Sequence, residues 1–190
     1  MEIYLLVHGQ AESLNRAADP YTVALTAEGR EQARRLAVAC RGWGIQFLCA
    51  STMLRAQQTA DAIHDALPDL VRWDLDELED LTLDDLQGEP TAGQLVSTWT
   101  AAQRRLGYER LWIRLMAAWA RIEIYARTYG LERIAILGHE STVALFLLRW
   151  LGLDWRALDQ LGFALDPGAT CKVILDGQEH VQIAWINHPV

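Results

Sequence analysis

Short apolar runs alternate with helical patterns through the first 73 residues of this chain. The runs at residues 3–7, 45–50 and 70–73 have the length and composition of buried strands. Between them, apolar residues recur at helical spacing, with Thr26 as the N-cap of the first helix and Pro68 at the end of the second. Because the connections are short, the pattern predicts a parallel sheet with right-handed crossovers.

The remaining elements follow from the same periodicities. Ser51 and Thr52 are predicted to cap the second helix, and residues 91–129 to form a helix in two pieces that divide near Gly107. No repeat or linker interrupts residues 1–190, so we predict one α/β domain, a three-layer α/β/α sandwich with a mostly parallel sheet. Further along, the patterns predict a strand at residues 133–137, helices at 142–151 and 154–161, and a closing hairpin of 169–175 and 180–186.

Charge and composition exclude several classes of partner. The 190 residues carry a net charge of −8, which disfavours binding to nucleic acid or to an anionic membrane. The chain shows neither a leader segment nor a membrane span, and Cys40, Cys49 and Cys171 lack disulfide or zinc spacing. We therefore expect a cytoplasmic protein with buried thiols and without a metal ion.

Three groups of polar residues follow predicted strands. His8 comes after the first strand, residues 51–55 after the second, and His139 after the fourth. Because the carboxyl ends of parallel strands meet at one crevice, these groups are expected to converge. Arg55 and helix N-terminal amides neutralise an anion, and an imidazole can attack phosphorus. The sequence therefore predicts a phosphate site.

The same segments resemble the histidine phosphatase superfamily, whose fold is phosphoglycerate mutase-like, across nearly the whole chain. Residues 6–10 (LVHGQ) stand where that family has an apolar strand ending in Arg-His-Gly-Glu or Arg-His-Gly-Gln. Residues 25–33 (LTAEGREQA) match its Leu-Thr-x-x-Gly-x-x-Gln-Ala helix start. Residues 51–60 match Ser-x-x-x-Arg-Ala-x-Gln-Thr-Ala. Their order and spacing make the resemblance far more specific than any single motif.

This resemblance implies roles for individual residues. His8 is expected to be the nucleophile that becomes a phosphohistidine, Arg55 to bind the phosphoryl oxygens, and His139 to lie beside them as a second donor. Gly9 is expected to contribute to substrate binding.

The resemblance also implies an acid that protonates the leaving group. Aligning the family's Leu-x-Glu-x-x-x-Gly-x-x-x-Gly stretch on Gly88 places this acid at Asp80, with Glu79 and Glu77 as competitors. The middle glycine is then Asp84.

Several positions depart from the family pattern. Val7 stands where an arginine should precede the nucleophile, so one phosphate ligand is missing. The family's His-Gly-Gly is here His-Glu-Ser, which places Glu140 near the anion; at a helix start it is expected to turn outward. Asn15 is one place later than an asparagine that the family often carries. Arg16 either replaces some of the lost charge or is a solvated loop residue.

Two functions from different classes are therefore expected. The first is a phosphomonoesterase of weakened activity that acts through a phosphohistidine on a small phosphorylated metabolite, with no cofactor; mutase activity ranks lower. The alternative is a non-catalytic protein that binds a phosphorylated ligand or another protein. The segment at about 91–130 is expected to cover the site, where Trp99, Tyr108 and Trp112 either wall the pocket or pack in the core. The closing hairpin offers an edge for a homodimer.

Overall fold

The computed structural model describes residues 1–13, 19–86, 96–176 and 180–190, and these form a six-stranded sheet between two layers of helices. The strand order is β3-β2-β4-β1-β5-β6. The first four strands in the chain run parallel, and the last two are antiparallel to their neighbours. The strands are β1 (Glu2–Val7), β2 (Phe47–Ser51), β3 (Val71–Leu75), β4 (Arg133–Gly138), β5 (Thr170–Leu175) and β6 (Val181–His188).

Four α-helices cover the two faces of the sheet. They are α1 (Ala27–Trp43), α2 (Leu54–Ala66), α3 (Ala101–Thr128) and α4 (Glu140–Trp150). One apolar cluster joins α1 and α2 to one face, and a larger cluster joins α3 and α4 to the other. Alternation along β1 explains both clusters, because Leu5 packs into the larger and Leu6 into the smaller. The predicted three-layer α/β fold with a mostly parallel sheet is confirmed.

Helix α1 begins and ends as its sequence predicts. The Thr26 hydroxyl accepts a hydrogen bond from the amide of Gly29 at 3.0 Å, which satisfies a donor of the first turn. Gly44 ends the helix with φ of 66°, a conformation that glycine adopts without steric cost.

The prediction of two helical pieces divided at Gly107 is wrong. Helix α3 runs unbroken for 28 residues from a capping box of Thr100 and Gln103. Gly107 serves packing instead, since a Cβ there would lie 2.6 Å from the ring of Trp99. Before the helix, Val96–Thr98 form a 3₁₀ turn, and residues 91–95 lie outside the described part of the chain.

Other helix starts also differ from the predictions. Ser51 ends β2 and Met53 occupies the N-cap of α2 without a side-chain hydrogen bond, so Ser51 and Thr52 are not its caps. Helix α4 begins at Glu140, two residues before its predicted start. The predicted helix at 154–161 is a 3₁₀ turn, Trp155–Asp159. The starts of α2 and α4 were misplaced because the polar residues after β2 and β4 bond to other groups, described below, whereas Asp154 does cap its 3₁₀ turn by accepting from the Arg156 amide.

Two further expectations concern the burial of the cysteines and the presence of a membrane-spanning helix. Cys40, Cys49 and Cys171 are all buried and free. Among the residues that the structure describes, no helix is both long and apolar enough to cross a membrane.

Candidate active site

His8 lies directly after β1, where two neighbouring segments hold its main chain. Its amide donates to the carbonyl of Gly138 at 3.1 Å, and its carbonyl accepts from the amide of Gly168 at 3.0 Å. The end of β4 on one side and the turn before β5 on the other therefore position this histidine, at the carboxyl end of the parallel strands.

Close backbone packing fixes the residues after His8. A Cβ on Gly9 would lie 2.3 Å from the carbonyl oxygen of Gly29, and a Cβ on Gly29 would lie 1.9 Å from that of Gln10. Only hydrogen fits at either position. The amide of Gly9 also donates to the Thr59 hydroxyl at 3.2 Å, which ties this turn to α2.

The hydrogen bonds of His8 define its tautomer. Nδ1 lies 2.7 Å from the carbonyl oxygen of Gly9, which can only accept, so Nδ1 carries the hydrogen. Nε2 then has a free electron pair, and it accepts a hydrogen bond from Nε of Arg55 at 3.0 Å. Burial, and then the positive charge of Arg55, lower the pKa of His8 to about 4. At neutral pH the imidazole is therefore uncharged, as a nucleophilic imidazole must be.

Arg55 is the buried cation of this cluster, with 5% of its surface exposed. Beyond its contact with His8, it donates to the carbonyl of Pro20 at 2.8 Å and lies 3.4 Å from Oδ2 of Asp80. A buried cation needs such partners, and its guanidinium can exchange one of them for a phosphoryl oxygen.

His139 follows β4 and packs against His8, with ring centroids 5.0 Å apart. Its Nε2 lies 2.9 Å from the Ser51 hydroxyl, whereas its buried Nδ1 has no hydrogen-bond partner in the described part of the chain. Nδ1 is 3.9 Å from Oδ2 of Asp80. Burial, with the nearby positive charge, lowers the pKa of His139 well below its usual value. An unpaired buried nitrogen beside Arg55 is suited to a ligand that replaces the missing partner.

Asp80 is the acidic residue that the structure brings beside His139 and Arg55. Its Oδ1 accepts from the amide of Leu81 at 2.9 Å and from the Ser141 hydroxyl. These two donors leave Oδ2 facing the two cationic or potentially cationic side chains.

The competing acids are held elsewhere. Glu77 pairs with Arg121, and Glu79 accepts a hydrogen bond from the Thr52 hydroxyl. Burial raises the pKa of Glu79. Neither glutamate has a described hydrogen bond or ion pair with Arg55 or His139, so the geometry separates them from Asp80.

The positions expected to depart from the family pattern occupy different surroundings. Val7 is 3% exposed and belongs to the larger apolar cluster. Glu140 is exposed at the first position of α4, where it lines a cavity together with Asp80, and its carboxylate has no described contact with His8 or Arg55. Asn15 and Arg16 lie outside the described residues.

Three hydroxyl groups support the site, and our sequence reasoning did not assign them this role. Ser51 bonds to His139, Thr59 joins the Gly9 amide to the Arg55 carbonyl, and Ser141 holds Asp80. Ser51 and Thr59 occupy specified positions of the motif at residues 51–60, and this motif was the sequence signal that could have identified them. For Ser141 the only sequence signal was its place two residues after His139.

Solved structures share this fold from end to end. The α-ribazole phosphatase from Shigella flexneri is 22% identical, with a TM-score of 0.74 and coverage of 98% of this chain and 96% of that one. A mycobacterial glucosyl-3-phosphoglycerate phosphatase is 17% identical, with a TM-score of 0.74 and coverage of 98% and 99%. At these identities the likeness establishes the fold.

Sequence comparison extends the result. The probable phosphoglycerate mutase GpmB from Enterobacter sp. (strain 638) is 35% identical over 98 residues, and the match spans 47% of this chain and about half, 46%, of that protein. A model of the histidine phosphatase superfamily (branch 1) matches residues 3–188. With nearly every described element inside that match, the chain belongs to branch 1 of the histidine phosphatase superfamily.

Proposed function

We propose that this protein is a phosphomonoesterase that forms a phosphohistidine at Nε2 of His8. The observation that carries the proposal is the hydrogen bond from Nδ1 of His8 to the Gly9 carbonyl, because it leaves the electron pair on Nε2. The substrate class is a small phosphorylated metabolite, in keeping with the phosphatases of similar fold.

In the first step Nε2 of His8 attacks phosphorus, so that the P–N bond forms as the P–O bond to the leaving group breaks. The phosphoryl group displaces Nε of Arg55 from Nε2, and the guanidinium turns to its oxygens. His139, whose buried Nδ1 lacks a described partner, offers a second contact to the same oxygens. Helix α4 begins beside His139 and adds the positive end of its dipole.

Asp80 is the proposed proton donor, because it is the acidic side chain placed beside both Arg55 and His139. Donation requires the protonated form of this carboxyl group. The proton passes to the departing oxygen. Water then attacks the phosphohistidine, Asp80 takes a proton from that water, the P–N bond breaks, and phosphate leaves.

The alternative, a non-catalytic protein that binds a phosphorylated ligand, is favoured by Val7. In the proposed alignment this buried, uncharged side chain replaces an arginine. Loss of one preorganised donor costs about 10²–10³ in rate. We therefore expect weak turnover instead of none.

The deciding measurement is hydrolysis of p-nitrophenyl phosphate by the wild-type protein and its His8→Ala and Val7→Arg variants. We expect slow turnover in wild type, none in His8→Ala, and about a 10²-fold increase in Val7→Arg. Trapping of acid-labile phosphoprotein in wild type and its absence in His8→Ala would identify the intermediate.

Thermal melts of all three proteins control for folding, since an arginine at a buried position can also destabilise the chain. Turnover that survives in His8→Ala would overturn the proposed nucleophile. A folded protein that binds phosphate but never turns over, even with Val7→Arg, would favour the non-catalytic alternative.

A further inference from the structure

A cavity of about 410 Å³ opens beside Asp80 and Ser141. Since the proposed donor protonates the departing oxygen, the rest of the leaving group must lie next to that carboxyl. We infer that this cavity receives the leaving group, and that Glu140 makes it select neutral or ammonium-bearing groups over carboxylated ones. The inference rests on the proposed function and assigns a substrate class to it.

Part of the cavity lining is apolar. It includes Leu158, Leu161 and Phe163, from the 3₁₀ turn and the segment after it, together with Leu81 and Val96. Leu161 retains 38% exposure, and an apolar ligand would remove this apolar surface from water. These side chains suit the hydrocarbon or aromatic body of a small metabolite.

Three polar side chains, Glu140, Tyr108 and Arg104, also line the cavity. Within the described residues, neither the Glu140 carboxylate nor the Tyr108 hydroxyl has a hydrogen-bond partner or an ion pair. Arg104 donates to the carbonyl of Trp99 instead of to a carboxylate. A ligand that brings donors to the Glu140 carboxylate would therefore meet an unused acceptor.

Tyr108 lies close enough to Asp80, Glu140 and Arg104 for their charges to act on its hydroxyl. Burial raises its pKa most, the negative charges of Asp80 and Glu140 raise it further, and Arg104 lowers it by less than either. Burial and the charge of Asp80 also raise the pKa of Glu140. Because the Arg104 guanidinium donates to the Trp99 carbonyl and forms no described ion pair with Glu140, the Glu140 carboxylate repels a leaving group that carries its own carboxylate and attracts an ammonium group.

Binding to the His8→Ala protein tests this selection without turnover. The probes are phosphoethanolamine, 2-hydroxyethyl phosphate and phosphoglycolate, which share a two-carbon leaving group with positive, neutral or negative charge. We expect phosphoethanolamine to bind about fivefold more tightly than phosphoglycolate, with 2-hydroxyethyl phosphate between them. Adding Glu140→Gln should reduce the ratio to about one or two.

Glu132→Gln is the matched control, because it removes the same charge at an exposed position just before β4, at the opposite end of that strand from His139. It should leave the ratio at about fivefold. Equal or tighter binding of phosphoglycolate, or a ratio that Glu140→Gln does not change, would overturn the inference. Failure of inorganic phosphate and all three esters to bind would instead remove the proposed phosphate site, and this inference with it.

Discussion

At the scale of single residues, the proposed chemistry depends on how Asp80 is held. Ser141 and the Leu81 amide both bond to Oδ1, so Oδ2 is the oxygen free to carry a proton to the leaving group. Ser141 is thus a positioning residue, which touches the donor without touching the reacting atoms.

Asp80→Asn should therefore affect poor leaving groups most. We expect hydrolysis of an alkyl phosphate to fall by about 10²–10³, because an alkoxide must be protonated as it departs. The loss with p-nitrophenyl phosphate should be much smaller, since nitrophenolate leaves without a proton. Ser141→Ala should show the same asymmetry at about tenfold, whereas Thr128→Ala, which removes a hydroxyl from the far end of α3, should show none. Equal losses on both substrates would contradict the assignment of Asp80.

The lowered pKa of His8 also makes a prediction about stability. In the unfolded chain this pKa is about 6.5, against about 4 in the fold, so between these values the unfolded state binds more protons. The free energy of unfolding is consequently lost as the pH falls through that window, by about 3 kcal/mol for this group.

Urea unfolding of wild type and His8→Ala at pH 7, 5.5 and 4 measures this contribution. The difference between the two unfolding free energies should change by about 3 kcal/mol from pH 7 to pH 4, in the direction that favours His8→Ala at low pH. Parallel pH curves would show that His8 has an ordinary pKa. Because His139 is also buried and uncharged, both proteins should still lose stability in acid.

At the scale of elements, replacing either of two glycines of helix α1 with alanine should change the stability of the protein in opposite directions. Gly29→Ala places a Cβ 1.9 Å from the Gln10 carbonyl oxygen and should destabilise the protein by about 2 kcal/mol or more. It should also lower turnover, because Gln10 lies two residues after His8. Gly42→Ala meets no atom within 4 Å and should stabilise the helix by about 0.5 kcal/mol. Urea midpoints compare the two, and effects of the same sign would contradict this packing.

The sequence predicted the strands better than the helix starts, for a physical reason. Short apolar runs such as residues 3–7 and 133–137 have one stable environment, the interior of a sheet. Ser51 carries a good capping side chain, yet its hydroxyl bonds to His139, which is 88 positions away in the chain. Gly107 has low helix propensity, but the ring of Trp99 fills the space of its missing side chain.

The candidate site, too, could be predicted only in part from the sequence. Its strand-end residues could be placed because parallel strands bring their carboxyl ends together. Motif spacing alone left Asp80, Glu79 and Glu77 as alternatives, and only their contacts separated them. Ser141 could not be assigned from the sequence, because its role depends on a contact with Asp80, which is 61 positions away in the chain.

At the scale of the whole molecule, the sheet has two parts: four parallel strands that adjoin the site residues, and two antiparallel strands that extend the sheet. The four parallel strands supply the ends that carry or adjoin His8, Arg55, Asp80 and His139. Strands β5 and β6 extend the sheet on the other side of β1. Strand β6 is an edge, and exposure alternates along its eight residues.

The homodimer through this edge stays a prediction. If two β6 edges pair, light scattering should give a mass of twice 21.4 kDa. Replacing Ile186, which is 40% exposed, with lysine should then shift the mass toward the monomer. A monomeric mass for wild type at high concentration would remove the hypothesis.

The central place of β1 in the sheet has a consequence for the order of folding. This strand is synthesised first, yet its two hydrogen-bonded neighbours are β4 and β5, which follow more than 120 residues later. Closing so long a loop is entropically costly, and contacts of this range slow folding. During translation, helix α1 and strands β2 and β3 can therefore associate before β4 and β5 are available to pair with β1. His8 is synthesised before Arg55, Asp80 and His139, yet it is among the last of the site residues to reach its position in the sheet.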